Sequence, residues 1–244
     1  MKKGNYFKRF NALDRKYLYT DKHIHSTWTD GEGSILQIAQ RAQEIGLKTI
    51  AITDHIREAS TYFPEYFKEI KKVQKECSLD ILAGFEVKVK DFTGEIDASK
   101  DVLKKAEIKI ASVHRFPLGR KLYSPKEFDK KICQEIELEL SIAAIKKGQA
   151  NVLGHPGGMS IRGYDEFPLE FFEEIIAECK KQDIAFDLDC SYHAAVYPML
   201  KPILQKHNPL ISLGSDAHKL SELGGWIEIL KGNNTYEVST PRRC

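Results

Sequence analysis

Residues 17–25 read YLYTDKHIH, a largely apolar run that ends in two histidines. On a strand, His23 and His25 share one face, because alternate side chains point the same way. The pattern recurs along the chain. TIAITDH (49–55), DILAGFE (80–86), IKIASVH (108–114), NVLGHP (151–156) and LISLGSDAH (210–218) are apolar runs that also close on a histidine or a carboxylate. IAFDLDC (184–190) has the same build without a histidine and brings the set to seven. Parallel strands that deliver polar side chains at their carboxyl ends describe a site at the mouth of a barrel.

Between these runs lie amphipathic stretches. Ser34–Gly46 opens on a serine cap, closes on glycine and places Ile35, Ile38, Ala39, Ala42 and Ile45 on one side. Helices are also expected over Pro64–Glu76, Ser124–Gly148, Pro168–Lys181 and Pro198–His207, each with proline in its first turn. Strands alternating with helices make parallel units with right-handed crossovers. The fold class is therefore α/β, with a closed or distorted barrel preferred to an open sheet. No linker or repeat divides residues 1–244, so a single domain is expected. The tail after Gly232 has no assigned place.

The charge balance is nearly even, 37 basic against 35 acidic residues, with no basic stripe. Nucleic-acid and membrane partners are not expected on that ground, and no obligate protein partner is evident. No stretch reaches the roughly 18 apolar residues of a membrane span, and the basic start lacks the apolar core of a signal peptide. A cytoplasmic location is the expectation. Five widely spaced cysteines without a CxxC pair read as reduced thiols. Cys190 takes the opposite strand face from Asp187 and Asp189, which weakens its case as a nucleophile.

The run ends carry the candidate site. His23 and His25 offer two imidazoles to one cation, a donor set suited to Zn, Mn or Fe. Asp30-Gly31 follows as a turn whose carboxylate reads as a further ligand. His55, His114, His155 and His218 each end a run, and Asp216 precedes His218 by two residues. Glu86, inside ILAGFEVKV, would be costly to bury without a partner, and a carboxylate bridging two cations satisfies it. Crowded neutral imidazoles without cations would leave donors and acceptors unpaired.

HIHSTWTDG, AITDH, GFE, SVH, GHP and GSDAH, in this order, resemble the PHP family, named for polymerase and histidinol phosphatase. The resemblance runs from Asp21 to His218 and implies a distorted (β/α)7 barrel with two to three divalent metal ions, Zn, Mn or Fe. It implies one ion on His23, His25, Glu86 and Asp216. A second falls on Glu86, His114 and His155, and a third on Asp30, His55 and His218. Two positions depart from the family pattern. Some members have histidine where this chain has Asp30. After the sixth strand the family often has Glu-x-Asn, whereas this chain has Asp187-Leu188-Asp189, in a region the resemblance turns toward substrate.

The expected activity is metal-dependent hydrolysis of a small soluble phosphomonoester, a phosphorylated metabolite such as histidinol phosphate. Clustered cations neutralise phosphate oxygens and convert water to hydroxide near neutral pH. His193, in CSYHAAVYP, is the expected proton donor to the leaving alkoxide. Arg115 is the expected phosphate grip, with Arg57 and Arg162 as weaker candidates. The competing readings are a phosphodiesterase or exonuclease on nucleotides, metal-dependent hydrolysis of a carbon ester or amide, and a metal-binding regulatory domain without catalysis.

Overall fold

The structure is a computed structural model, and it describes residues 6–119 and 121–230. Ten strands are present among them: β1 Lys8–Arg9, β2 Thr20–Asp21, β3 Thr49–Ile52, β4 Asp80–Lys88, β5 Ile108–Ser112, β6 Phe116–Leu118, β7 Lys121–Tyr123, β8 Val152–Leu153, β9 Ala185–Asp189 and β10 Leu210–Gly214. Eight form one sheet in the order β1-β10-β9-β8-β5-β4-β3-β2. From β2 through β10 every neighbouring pair in that sheet is parallel; only β1 runs antiparallel, on β10. Seven parallel strands is the number the sequence led us to expect, and each of the seven runs contributes one.

The seam between β2 and β10 is bridged by backbone. Lys22 N–H donates to Leu213 O (2.7 Å), His25 N–H to Ala217 O (2.9 Å), and Ile24 pairs in parallel with Ala217. Asp21 fastens the same seam by accepting from Ser215 N, Ser215 Oγ and Gly224 N. These contacts draw the sheet into a distorted ring. Inside it, alternate strand positions form a small apolar cluster of Ala51, Ile108, Ile110, Val152 and Ala185, with Phe7. The opposite faces pack outward on the helices in a larger core. A side chain at the carboxyl end of a strand therefore sits above a packed plug rather than in a pore.

The helices are α1 Ile35–Glu44, α2 Phe63–Glu76, α3 Lys100–Lys105, α4 Lys130–Lys147, α5 Gly158–Tyr164, α6 Leu169–Gln182, α7 Cys190–His193, α8 Tyr197–His207 and α9 Gly225–Leu230. Ser34 caps α1 in a capping box with Gln37. The long helix expected from Ser124 is two pieces. Ser124-Pro125 opens a single 3-10 turn, and Asp129 then caps α4 through Ile132 N. A capping carboxylate competes with helix continuation, which explains the restart. The β6–β7 hairpin at the mouth was not anticipated, and the tail after Gly232 lies outside the described residues.

Candidate metal centre

Glu86 is the hub of the mouth. It ends the ring-facing part of β4 and is 1% exposed. Five imidazoles reach its carboxylate: His55 at 2.9 Å, His155 at 3.1 Å, His114 at 3.2 Å, His23 at 3.4 Å and His25 at 3.5 Å. Asp216 Oδ1 lies 3.1 Å from His25 Nε2 and 3.6 Å from His23 Nε2. Asp30 Oδ2 completes the outer edge, 3.3 Å from His218 Nε2 and 3.5 Å from His55 Nε2. All nine residues expected as ligands thus meet at one pole. Their grouping is more intermixed than the expected three sets. Mutually close donors include His25-Asp30-His55-His218, His23-His25-Asp216 and His55-Glu86-His114, within 4.8 Å of one another in each set.

Several details test whether these residues suit cations. His23 Nε2 and both ring nitrogens of His25 are buried without a hydrogen-bond partner. Such atoms are costly unless something unseen satisfies them. His218 Nδ1 donates to Asp216 O (2.8 Å), which leaves Nε2 as the lone-pair nitrogen facing Asp30. Burial disfavours charge on Glu86, yet His114, His23 and His55 outweigh it and hold the carboxyl well below its ordinary range. Burial opposes a proton on His55 as well, but Glu86 and Asp30 push it up to about 10. His23 is likewise raised, against its burial, by Glu86 and Asp187. Divalent cations among these rings would balance the Glu86 charge. The donor set therefore fits hard-to-borderline divalent ions.

The mouth is held from beneath. Asp54, the neighbour of His55, accepts from Ser26 N, Ser26 Oγ and Thr29 Oγ1 and ties down the loop between His25 and Asp30. Glu137 on α4 is fully buried and accepts from Met159 N and Ser160 N. It caps α5, the helix that the His155-Pro156-Gly157-Gly158 loop leads into. Gly158 serves close packing rather than ligand approach: an added Cβ would lie 2.9 Å from His155 Nδ1.

A cavity of about 500 Å³ opens over the cluster. Arg115 and Arg162 line it; Arg57 does not and points to solvent. Arg115 is exposed at the rim. Arg162 is half-buried, and its Nη2 donates to Tyr192 Oη at 2.7 Å. Tyr192 Oη also lies 3.4 Å from Asp216 Oδ2, and its ring packs 4.9 Å from His155. Tyr192 was missed in the sequence because a lone tyrosine in a loop carries no spacing signal. Its only clue was proximity to the run ending at Cys190.

Two expectations are corrected. His193 does not face the cavity. It is 0% exposed, lies between Phe172 and Phe186, accepts from Asp189 N at Nδ1 and donates from Nε2 to Pro156 O. With both nitrogens engaged, it has no proton to offer a substrate. Asp187 and Asp189 do not face substrate either: both are 0% exposed and lie under His23. Cys190 is a buried thiol pushed well up by its burial, which suits the inert reading.

The largely parallel α/β ring, with nine histidine and carboxylate side chains gathered at its mouth, defines a barrel-like fold with a candidate metal centre. Residues 21–191 match the model of the PHP domain, and the chain belongs to that family. A probable phosphatase of Caldanaerobacter subterraneus subsp. tengcongensis is 27% identical over 218 residues, covering 88% of this chain and 82% of that protein. One of Proteus mirabilis is 26% identical, covering 86% and 83%. The DNA polymerase/3′-5′ exonuclease PolX of Bacillus subtilis is 27% identical over 83% of this chain but only 35% of its own length. Among solved structures, a candidate histidinol phosphatase of Listeria monocytogenes superposes with a TM-score of 0.69 at 18% identity, covering 89% of this chain and 99% of that one. That likeness supports the barrel.

Proposed function

We propose that this protein is a metal-dependent phosphomonoesterase acting on a small phosphate ester. The observation that carries the reading is Glu86 amid five imidazoles, directly below a cavity with an oriented arginine on its wall. His23, His25, Asp30, His55, Glu86, His114, His155, Asp216 and His218 would hold Zn, Mn or Fe. Bound there, such ions supply charge to phosphate oxygens and an acidified water. Arg162, aimed by Tyr192, grips a phosphate oxygen; Arg115 stands further out at the rim. With His193 sealed off, the leaving alkoxide takes its proton from solvent at the open mouth, where Asp30 is about half exposed (52%).

The cavity's charges bear on the leaving group. Arg115 and Arg162 line it. Its described carboxylates are engaged: Asp30, Glu86 and Asp216 in the cluster, and Glu222 on the backbone N–H groups of His218 and Lys219. A neutral or anionic alcohol portion suits this wall better than the cationic one of histidinol phosphate.

The test is an assay of metal-loaded protein on p-nitrophenyl phosphate, its bis-ester, single-stranded DNA and alkyl monoesters of anionic, neutral and cationic alcohols. Hydrolysis of monoesters, with the cationic substrate slowest, is expected. Cleavage of DNA or the bis-ester without any monoester would overturn the reading in favour of a phosphodiesterase.

A further inference from the structure

The Asp187-Leu188-Asp189 run is left unused by the proposed reaction, yet it lies against the centre. Asp187 is 0% exposed on β9. Its Oδ2 accepts from His23 Nδ1 at 2.8 Å and from the backbone N–H of His155 at 3.3 Å. We propose that Asp187 is a positioning residue that sets two metal-site histidines at once, one through its ring and one through its backbone.

The ring contact decides a tautomer. A proton held on Nδ1 by a carboxylate leaves Nε2 as the lone-pair nitrogen, and such partners also raise the basicity of a ligating imidazole. His23 Nε2 is the atom that faces Glu86 and Asp216. The backbone contact acts on an uncommon conformation. His155 has φ of +27°, a region that non-glycine residues rarely adopt without support. Its N–H bond to Asp187 supplies support there, and the His155 and His23 rings lie nearly parallel, centroids 5.8 Å apart. His155 follows β8 and His23 follows β2, on either side of the β9–β10 pair, so one carboxylate spans the seam.

Asp189 does not share the role. Its nearer oxygen is 3.8 Å from His23 Nδ1, and Oδ1 accepts from Ser191 N. The glycine of the GSDAH run gains a reason too. A Cβ on Gly214 would lie 2.7 Å from Asp187 Oδ1 and 2.7 Å from His23 Cβ.

This inference rests on the metal reading of the mouth, and one titration separates the two failures. Metal-free parent, Asp187→Ala and Asp187→Asn are titrated with Mn²⁺, with free ion counted by electron paramagnetic resonance and folding checked by circular dichroism. In Asp187→Ala, ions held by His23 and His155 should weaken by about 10–100-fold. An ion held by Asp30, His55 and His218, which Asp187 does not touch, should keep its parental affinity. Asp187→Asn, isosteric and still an acceptor, should weaken the same ions by a smaller factor, and it decides alone where the Ala variant fails to fold. Uniform weakening of every ion, or no weakening in a folded variant, overturns the proposal. A parent that binds no Mn²⁺ sinks the metal reading instead.

Discussion

His155 and His193 are neighbours in space, yet the structure treats them in opposite ways. His193 donates to the carbonyl of Pro156, the residue after His155. One side of that peptide is the mouth, where His155 joins four other imidazoles around Glu86 and buried nitrogens of His23 and His25 lack partners. The other side is a finished interior, where both nitrogens of His193 are bonded and aromatic rings enclose it. Orphaned buried nitrogens in a polar cluster suit a metal ion. Satisfied donors in an apolar wall point to structure. A histidine's role here is read from what its nitrogens lack, not from its place at the end of a strand.

The sharpest way to break this contrast is at its hub. Glu86→Ala should release at least two ions together and lower phosphomonoesterase activity by at least about 10³-fold, since metal charge is worth several kcal/mol in such reactions. Chelation of the parent should do the same, reversed by Mn or Zn. Elemental analysis beside the assay checks both; full metal content in Glu86→Ala would dissolve the bridge.

The opposite behaviour is expected of His193. Burial pushes its imidazole down to about 4 from the ordinary 6.5. The unfolded chain therefore binds a proton that the folded one excludes. The associated stability is complete above pH 6.5 and is lost as the pH falls toward 4. The shift corresponds to about 3 kcal/mol. His193→Phe should flatten that acid slope in urea titrations. It should also cost about 2–4 kcal/mol at pH 8, by orphaning Asp189 N–H and Pro156 O. Metal content should stay at the parental level. A variant that folds as well as the parent but has lost activity would restore His193 as a catalytic group.

Smaller effects separate the arginines. Arg162→Ala should lower kcat/KM by about 10- to 150-fold, the worth of a charge-assisted bond, with metal retained. Tyr192→Phe removes the hydroxyl that aims Arg162 and also reaches Asp216, and should cost about 3- to 10-fold. Arg57→Ala should leave kcat/KM unchanged, because that side chain lies outside the cavity. Equal losses at Arg57 and Arg162 would show that the phosphate sits elsewhere than the wall described.

Much of the centre was legible from residue order alone. Period-2 alternation put His23 beside His25, and the apolar run around Glu86 marked a carboxylate that needed partners. Of the side chains that act on the centre without ending a run, Arg162 was only a weaker candidate and Tyr192 was not picked out. Arg162 and Tyr192 meet across thirty positions, and their 2.7 Å contact depends on how α5 and α7 are set on the ring. Asp187 was seen but assigned to the substrate side, because strand direction does not tell how deep a residue sits.

What the sequence determined by itself is the alternation of strands and helices, the pole where the candidate ligands collect and their chemical identity. These follow from local periodicity and from the cost of burying unpaired polar groups, both of which act within a few residues. Only the tertiary structure decided depth and pairing. Closing the ring across Lys22 and Leu213 put Asp187 under His23. Packing α7 against β9 and α6 enclosed His193 between Phe186 and Phe172. Those outcomes depend on distances between segments far apart in the chain, which no local pattern encodes.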